Sequence, residues 1–179
     1  IRATINLTGA PALKATQFSN YEQKTVSGLS VQLIIPTGSY NSWQLPNLGS
    51  NRLAIRSAYG ISHTINKWII EGYAGFWWFG NNNRFLTDKK LEQSPLWVIK
   101  GHLTHTFKKG MWLALDLGYG YGAETWIDGE KRDAILSGMR LGLTYTLPIY
   151  RNHTLKFFTV SGIRFKEGGD FDALGITYQ

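Results

Sequence analysis

The sequence contains no cysteine. A disulfide framework and thiolate chemistry are therefore excluded, and a chain that faces the periplasm is compatible with that. No run of about 18 consecutive apolar residues occurs either, which excludes a membrane-spanning helix. It leaves membrane-spanning strands open, because their residues are only half apolar. The chemistry-bearing motifs GxSxG, HExxH and the phosphate-cradling P-loop are all missing, so no catalytic residue, cofactor or metal site is expected. Acidic residues are few, 12 Asp and Glu against 19 Lys and Arg, for a net charge of +7. Such a balance fits nucleic acid, a membrane surface or anionic solutes. The basic residues are dispersed without a compact run, so single-stranded nucleic acid is not the expected partner. The chain starts at Ile1 with neither an initiator Met nor a signal peptide, and reads as a processed chain or a fragment.

Aromatic residues are plentiful: 7 Trp, 9 Tyr and 9 Phe, 14% of the 179 residues. They suit the interfacial girdles of a membrane barrel and equally a soluble β-sandwich. The stretch from Leu96 to Tyr121 separates the two. In its first half Trp97, Ile99, Leu103 and Phe107 share one face, with Lys100, His102 and Thr104 on the other. In its second half Met111, Leu113, Leu115, Leu117, Tyr119 and Tyr121 lie opposite Asp116 and three glycines. Period two means strands, and Lys108-Lys109-Gly110 is a hairpin turn. Each run of about 11–12 residues exceeds the ~5–6 usual for a soluble strand and matches the ~9–11 of a membrane-spanning one.

The same alternation predicts strands over 1–7, 26–35, 52–62, 68–79, 134–147, 154–166 and 171–179, nine with the central hairpin. Residues 8–25 hold one or two helical turns. Short turns are expected at 63–67, 108–110 and 148–153, and long polar loops at 36–51, 80–95 and 122–133. Short turns on one side and long loops on the other are the habit of outer-membrane barrels. Connection 8–25 is long on the short side, and 167–170 is short on the long side. The expected fold is all-β, an antiparallel up-and-down transmembrane β-barrel, with residues 1–179 forming one partial domain. An odd strand count cannot close such a sheet, so either an odd number of further upstream strands completes it or the strand at 1–7 is miscounted.

Several stretches resemble the outer-membrane family labelled "MetA-pathway of phenol degradation". They are NLTGAPAL (6–13), PTGSYNSWQLPNLGSNR (36–52), SAYGIS (57–62), GFWWFGNNNRF (75–85), QSPLWVIKGHLTHTF (93–107), GMWLALDLGYGYGAETWIDG (110–129) and GGDFDALGITYQ (168–179). PTGSY followed by NLGSNR is the most specific pair, and the order of the pieces spans nearly the whole chain. The resemblance implies a barrel in the outer membrane of a Gram-negative bacterium. It further implies a channel or transporter for small solutes, aromatic or hydrophobic compounds among them.

If the apolar faces meet lipid, the opposite faces line the lumen. The candidates there are Arg52, Arg56, Lys100, Arg140, Lys156 and Arg164 against Glu71 and Asp116, with Tyr73 and Trp77 as aromatic surfaces. Rings of basic side chains favour anions in a pore, aromatic acids included. The competing reading is a plugged interior braced by Arg–carboxylate pairs, since buried charge needs a partner. His102 and His105 are three apart and on a strand face opposite ways, which disfavours a shared metal. His63 and His153 fall in expected turns. The Gly-Tyr-Gly-Tyr-Gly run at 118–122 ends a strand with no helix after it, so it is not a dinucleotide loop. Glycine at alternate positions makes room inside a barrel or lets its wall bend. Two other readings remain. One is an outer-membrane lipid-modifying enzyme, for which Ser94, His102 and Glu92 are the nearest trio. The other is a soluble ligand-binding β-sandwich, which would stay monomeric in water without detergent.

Overall fold

A computed structural model gives the structure of the chain and describes residues 1–18, 21–132, 134–151 and 153–179. The long strands are β1 (Arg2–Thr8), β2 (Thr25–Ile34), β3 (Ala54–Ile65) and β4 (Trp68–Phe79), then β7 (Leu96–Lys108), β8 (Met111–Gly122), β11 (Leu136–Tyr150), β12 (His153–Arg164) and β13 (Phe171–Tyr178). Between them lie four short strands, β5 (Asn82–Phe85), β6 (Lys89–Gln93), β9 (Thr125–Ile127) and β10 (Glu130–Lys131), and one helical turn, α1 (Ala15–Phe18). The nine long strands form one antiparallel sheet in the order β1-β2-β3-β4-β7-β8-β11-β12-β13. Each is hydrogen-bonded to its sequence neighbours among the long strands, so the sheet is an up-and-down meander. The short strands form a second sheet, β10-β9-β6-β5.

The turns follow from local chemistry. The β3–β4 hairpin closes through Asn66 at φ 53°, a left-handed conformation that Asn tolerates. The β7–β8 hairpin uses Gly110 at φ 77°. In the β11–β12 hairpin the pairing continues to Tyr150 and His153, with a register shift between Pro148 and Tyr150. Proline cannot donate to a ladder, and an irregularity of this kind accommodates it. Two expected turns are therefore shorter than the sequence suggests. His63 lies within β3, and His153 opens β12. Of the expected connections, Ser19 and Asn20 of 8–25, Asp133 of 122–133 and Asn152 of 148–153 lie outside the described residues.

The main sheet has no apolar core of the soluble kind. Among the described residues the buried apolar ones are Ala54, Ala114 and Ala123. A β-sandwich would bury one face of each sheet against the other; here the apolar face is left open, and the soluble-sandwich reading falls. Cross-strand partners share a face, so the registers define its bands. Near the long-loop end it carries Phe76, Trp97 and Tyr121 in one row, with Trp78 beyond them. Ile70, Leu103, Leu115 and Leu143 form a row lower down. Near the short-turn end come Trp68, Tyr145, Phe157 and Tyr178. Two aromatic belts around an aliphatic band are the lipid-facing pattern of an outer-membrane barrel.

The opposite face is concave. One cavity of about 1040 Å³ touches Arg2 and Thr4 on β1 and also Arg140 on β11 and Gly168–Gly169 before β13. Strands so far apart in the sheet order can share a cavity only if the sheet curls around it. Within the described chain β1 and β13 are the two edges of that curled wall.

Candidate functional site: the concave wall and its loop rim

Three rows of side chains cross the concave face. One runs Arg56, Trp77, Leu96. Four residues further from the long loops is Gly28, Gly60, Tyr73, Lys100, Gly118, Arg140, Gly162. The third runs Val26, Ser62, Glu71, His102, Asp116, Gly142. The glycines make room for their neighbours. A Cβ at Gly60 would stand 2.7 Å from the Tyr73 ring, so that ring lies flat against the wall only because residue 60 has no side chain. Arg140 has Gly118 and Gly162 as its cross-strand neighbours.

Of the residues expected in the lumen, Arg56, Glu71, Tyr73, Trp77, Lys100 and Arg140 line the large cavity. Asp116 shares their face and is hydrogen-bonded to Nδ1 of His102. Tyr73 meets the same His102 ring edge-on, at 5.5 Å between centroids. Arg164 pairs with Gly138 and Lys156 with Thr146; both are on the concave face but outside the lining of the large cavity. Arg52 is placed elsewhere, in the loop layer before β3, where it lines a separate groove.

Among the described residues, the Arg and Lys side chains of this wall have no carboxylate partner. Among the described residues the ion pairs are Lys90–Glu92 at 2.8 Å, Lys131–Glu124 at 3.0 Å and the His102–Asp116 contact. None involves Arg56, Lys100 or Arg140. Two of these cations lie over rings instead: Arg56 is 5.2 Å from the centre of Trp77, and Arg140 is 5.7 Å from the centre of Phe171. Cation–π contact leaves the guanidinium edge free to donate hydrogen bonds.

His105 faces the other way, as strand alternation requires, and its ring lies 4.3 Å from that of Trp68 on the apolar side. The trio Ser94, His102 and Glu92 is not gathered. Oγ of Ser94 accepts from Glu124 N–H, Glu92 pairs with Lys90, and His102 is held by Asp116 in the wall.

The second sheet is what the sequence reading missed. Loops 80–95 and 122–133 were expected as separate polar segments; β6 and β9 join them, with Leu91 opposite Ile127 and Gln93 opposite Thr125. Loop 36–51 is tied to the same sheet. Asn82, only 2% exposed, is the most buried large side chain described. Its Nδ2 donates to Tyr40 OH at 2.9 Å, and its Oδ1 accepts from Asn51 at 2.8 Å and Arg84 N–H at 3.0 Å. Arg52 donates to Gln93 Oε1 and stacks 4.8 Å from the centre of Phe79. Burial lowers the Arg52 guanidinium from its ordinary pKa. The sequence did hold one signal for this sheet. Asp128-Gly129, at φ 53° and 81°, is the dipeptide of a two-residue hairpin with both residues left-handed.

Comparison with known proteins agrees with this geometry. No curated protein matches the sequence. Among solved structures, an outer membrane channel from Pseudomonas putida F1 superimposes with a TM-score of 0.71 at 22% identity, over 86% of this chain and 58% of that one. The chain thus spans little more than half the length of that channel, and the likeness is one of fold. A family model matches residues 6–158. The chain has the fold of an outer-membrane β-barrel wall, and it belongs to the family described as "Putative MetA-pathway of phenol degradation".

Proposed function

We propose that this protein is a passive channel for small solutes in the outer membrane. Solutes diffuse along the concave face, and its cations bias passage toward anions, with small aromatic acids the best fit. The observation that carries the reading is the freedom of Arg56, Lys100 and Arg140, which line the cavity without a carboxylate partner among the described residues. A wall braced by Arg–carboxylate pairs would have used them up. The glycine row supports passage rather than plugging, because it leaves a cavity of about 1040 Å³ where larger side chains would fill the interior. Tyr73 and Trp77 supply aromatic surface along the same path. The solved neighbour is itself named a channel, which favours a transport role over catalysis, and the family description names phenol degradation, in keeping with an aromatic solute.

Swelling of liposomes that contain the full-length protein tests this. Isosmotic benzoate should enter faster than the benzylammonium ion at neutral pH, which is similar in size and opposite in charge. No swelling with either solute, from protein shown to be folded, would overturn the channel reading.

A further inference from the structure

Outside the lumen, charge is spread unevenly between the two ends of the sheet. At the long-loop end cations and carboxylates are interspersed and pair, Lys90 with Glu92 and Lys131 with Glu124. The short-turn end is almost purely basic. Lys24, Lys67, Lys108, Lys109 and Arg151 stand there, all exposed, and Glu22 is the one acidic residue in the connections 9–24, 66–67, 109–110 and 151–152. None of these cations has a carboxylate partner among the described residues. Three of them adjoin an aromatic residue: Lys67 precedes Trp68, Lys108 follows Phe107 and Arg151 follows Tyr150. Cations beside interfacial rings stand at the depth of lipid headgroups. One corner of this rim is built further. Tyr150 pairs with His153, which alternation places on the apolar face with Leu155 and Phe157. The rings of Tyr150, His153 and Tyr178 stack in succession there, with centroids 6.4 and 5.5 Å apart. A hydrogen bond of 2.6 Å between His153 Nδ1 and the Tyr178 hydroxyl fixes the stack. The Arg151 guanidinium lies 5.2 Å from the centre of the Tyr150 ring, which leaves its edge free to donate. A Cβ on Gly110 would lie 3.6 Å from Pro148, so the β7–β8 turn that carries Lys109 abuts the β11–β12 hairpin that carries Arg151.

We propose that this corner of the barrel is a binding site for an anionic phospholipid of the leaflet at the short-turn end. The lipid phosphate accepts from the Arg151 guanidinium with Lys109 alongside, and the glycerol and upper acyl chains lie along the Tyr150–His153–Tyr178 stack. Tyr150 and Tyr178 are 61% and 64% exposed, so the stack offers open apolar surface beside the charge. Outer-membrane barrels keep their short turns on the periplasmic side, which makes this the periplasmic leaflet. The site faces lipid and stands apart from the lumen, so it does not depend on the channel reading.

The test is native mass spectrometry of the full-length protein in detergent, titrated with phosphatidylglycerol or with phosphatidylcholine of the same acyl chains. The first phosphatidylglycerol should bind about fivefold more tightly or better, which is what one cation at a membrane surface is worth. R151Q and K109Q together should remove that preference; both residues are exposed in turns, so the barrel keeps its fold. K90Q and K131Q together, which remove as much charge from the long-loop end, should leave it intact. Glycerol phosphate should displace the lipid no better than sodium chloride of equal ionic strength. Equal affinity for the two lipids, a preference that survives R151Q with K109Q, an equal loss in K90Q with K131Q, or displacement by glycerol phosphate would each overturn the proposal.

Discussion

Asn82 holds the loop rim with three hydrogen bonds made by one amide. It ties loop 36–51 to the hairpin that follows β4, and no apolar packing of comparable burial is available there. Asn82→Ala leaves Tyr40, Asn51 and Arg84 without their partner. The expected cost is about 1–3 kcal/mol per group left buried and unsatisfied, confined to the rim. Hydrogen exchange should speed up over 40–51 and 82–93 and stay unchanged in β3 and β4; uniform exchange across both regions would contradict the local role. Gly60 is the corresponding residue in the wall. Gly60→Val would push the Tyr73 ring off the sheet and into the cavity, and solute flux should fall without loss of the folded barrel. Neither residue could be assigned this role from the sequence. Asn82 stands in an Asn-Asn-Asn run where any of the three could have served, and the fit of Gly60 to Tyr73 depends on the β3–β4 register.

At the level of strands, the sequence was most legible where one face meets lipid and the other does not. Alternation located all nine wall strands, β4 to the residue, because a strand with two different surroundings must alternate. The loop strands were hidden for the opposite reason. They are two to five residues long, too short for a period to show. The β5–β6 turn places Leu86 and Thr87 at φ 45° and 86°, residues that give no turn signal. Asp128-Gly129 did give one, for the β9–β10 hairpin. The face assignment itself can be tested within one pair of strands. Leu117 on β8 is 48% exposed on the apolar side, whereas Val98 on β7 lines the cavity. Leu117→Arg should destabilise the barrel in lipid by about 2–4 kcal/mol, as arginine does near the bilayer midplane. Val98→Arg should cost much less and alter conductance instead. Equal destabilisation would mean that the faces are wrongly assigned.

For the whole molecule, the curled sheet and the two aromatic belts describe a membrane-barrel wall, and the proposed channel adds to it a positively biased inner surface carried by Arg56, Lys100 and Arg140. The net charge of +7 does not reveal where the cations stand, and a dispersed basic sequence could equally have covered an outer surface. The sheet places Arg56, Lys100 and Arg140 on one side and the carboxylates of Glu71 and Asp116 in a row of their own, where His102 occupies Asp116. Reversal potential measured on single channels of the full-length protein in planar bilayers, under a potassium chloride gradient, tests this most directly. The account predicts steady conductance with anion selectivity, and loss of the selectivity but not of the conductance when Arg56, Lys100 and Arg140 are changed together to glutamine. A folded barrel that does not conduct, or a reversal potential that the triple change leaves where it was, would contradict it.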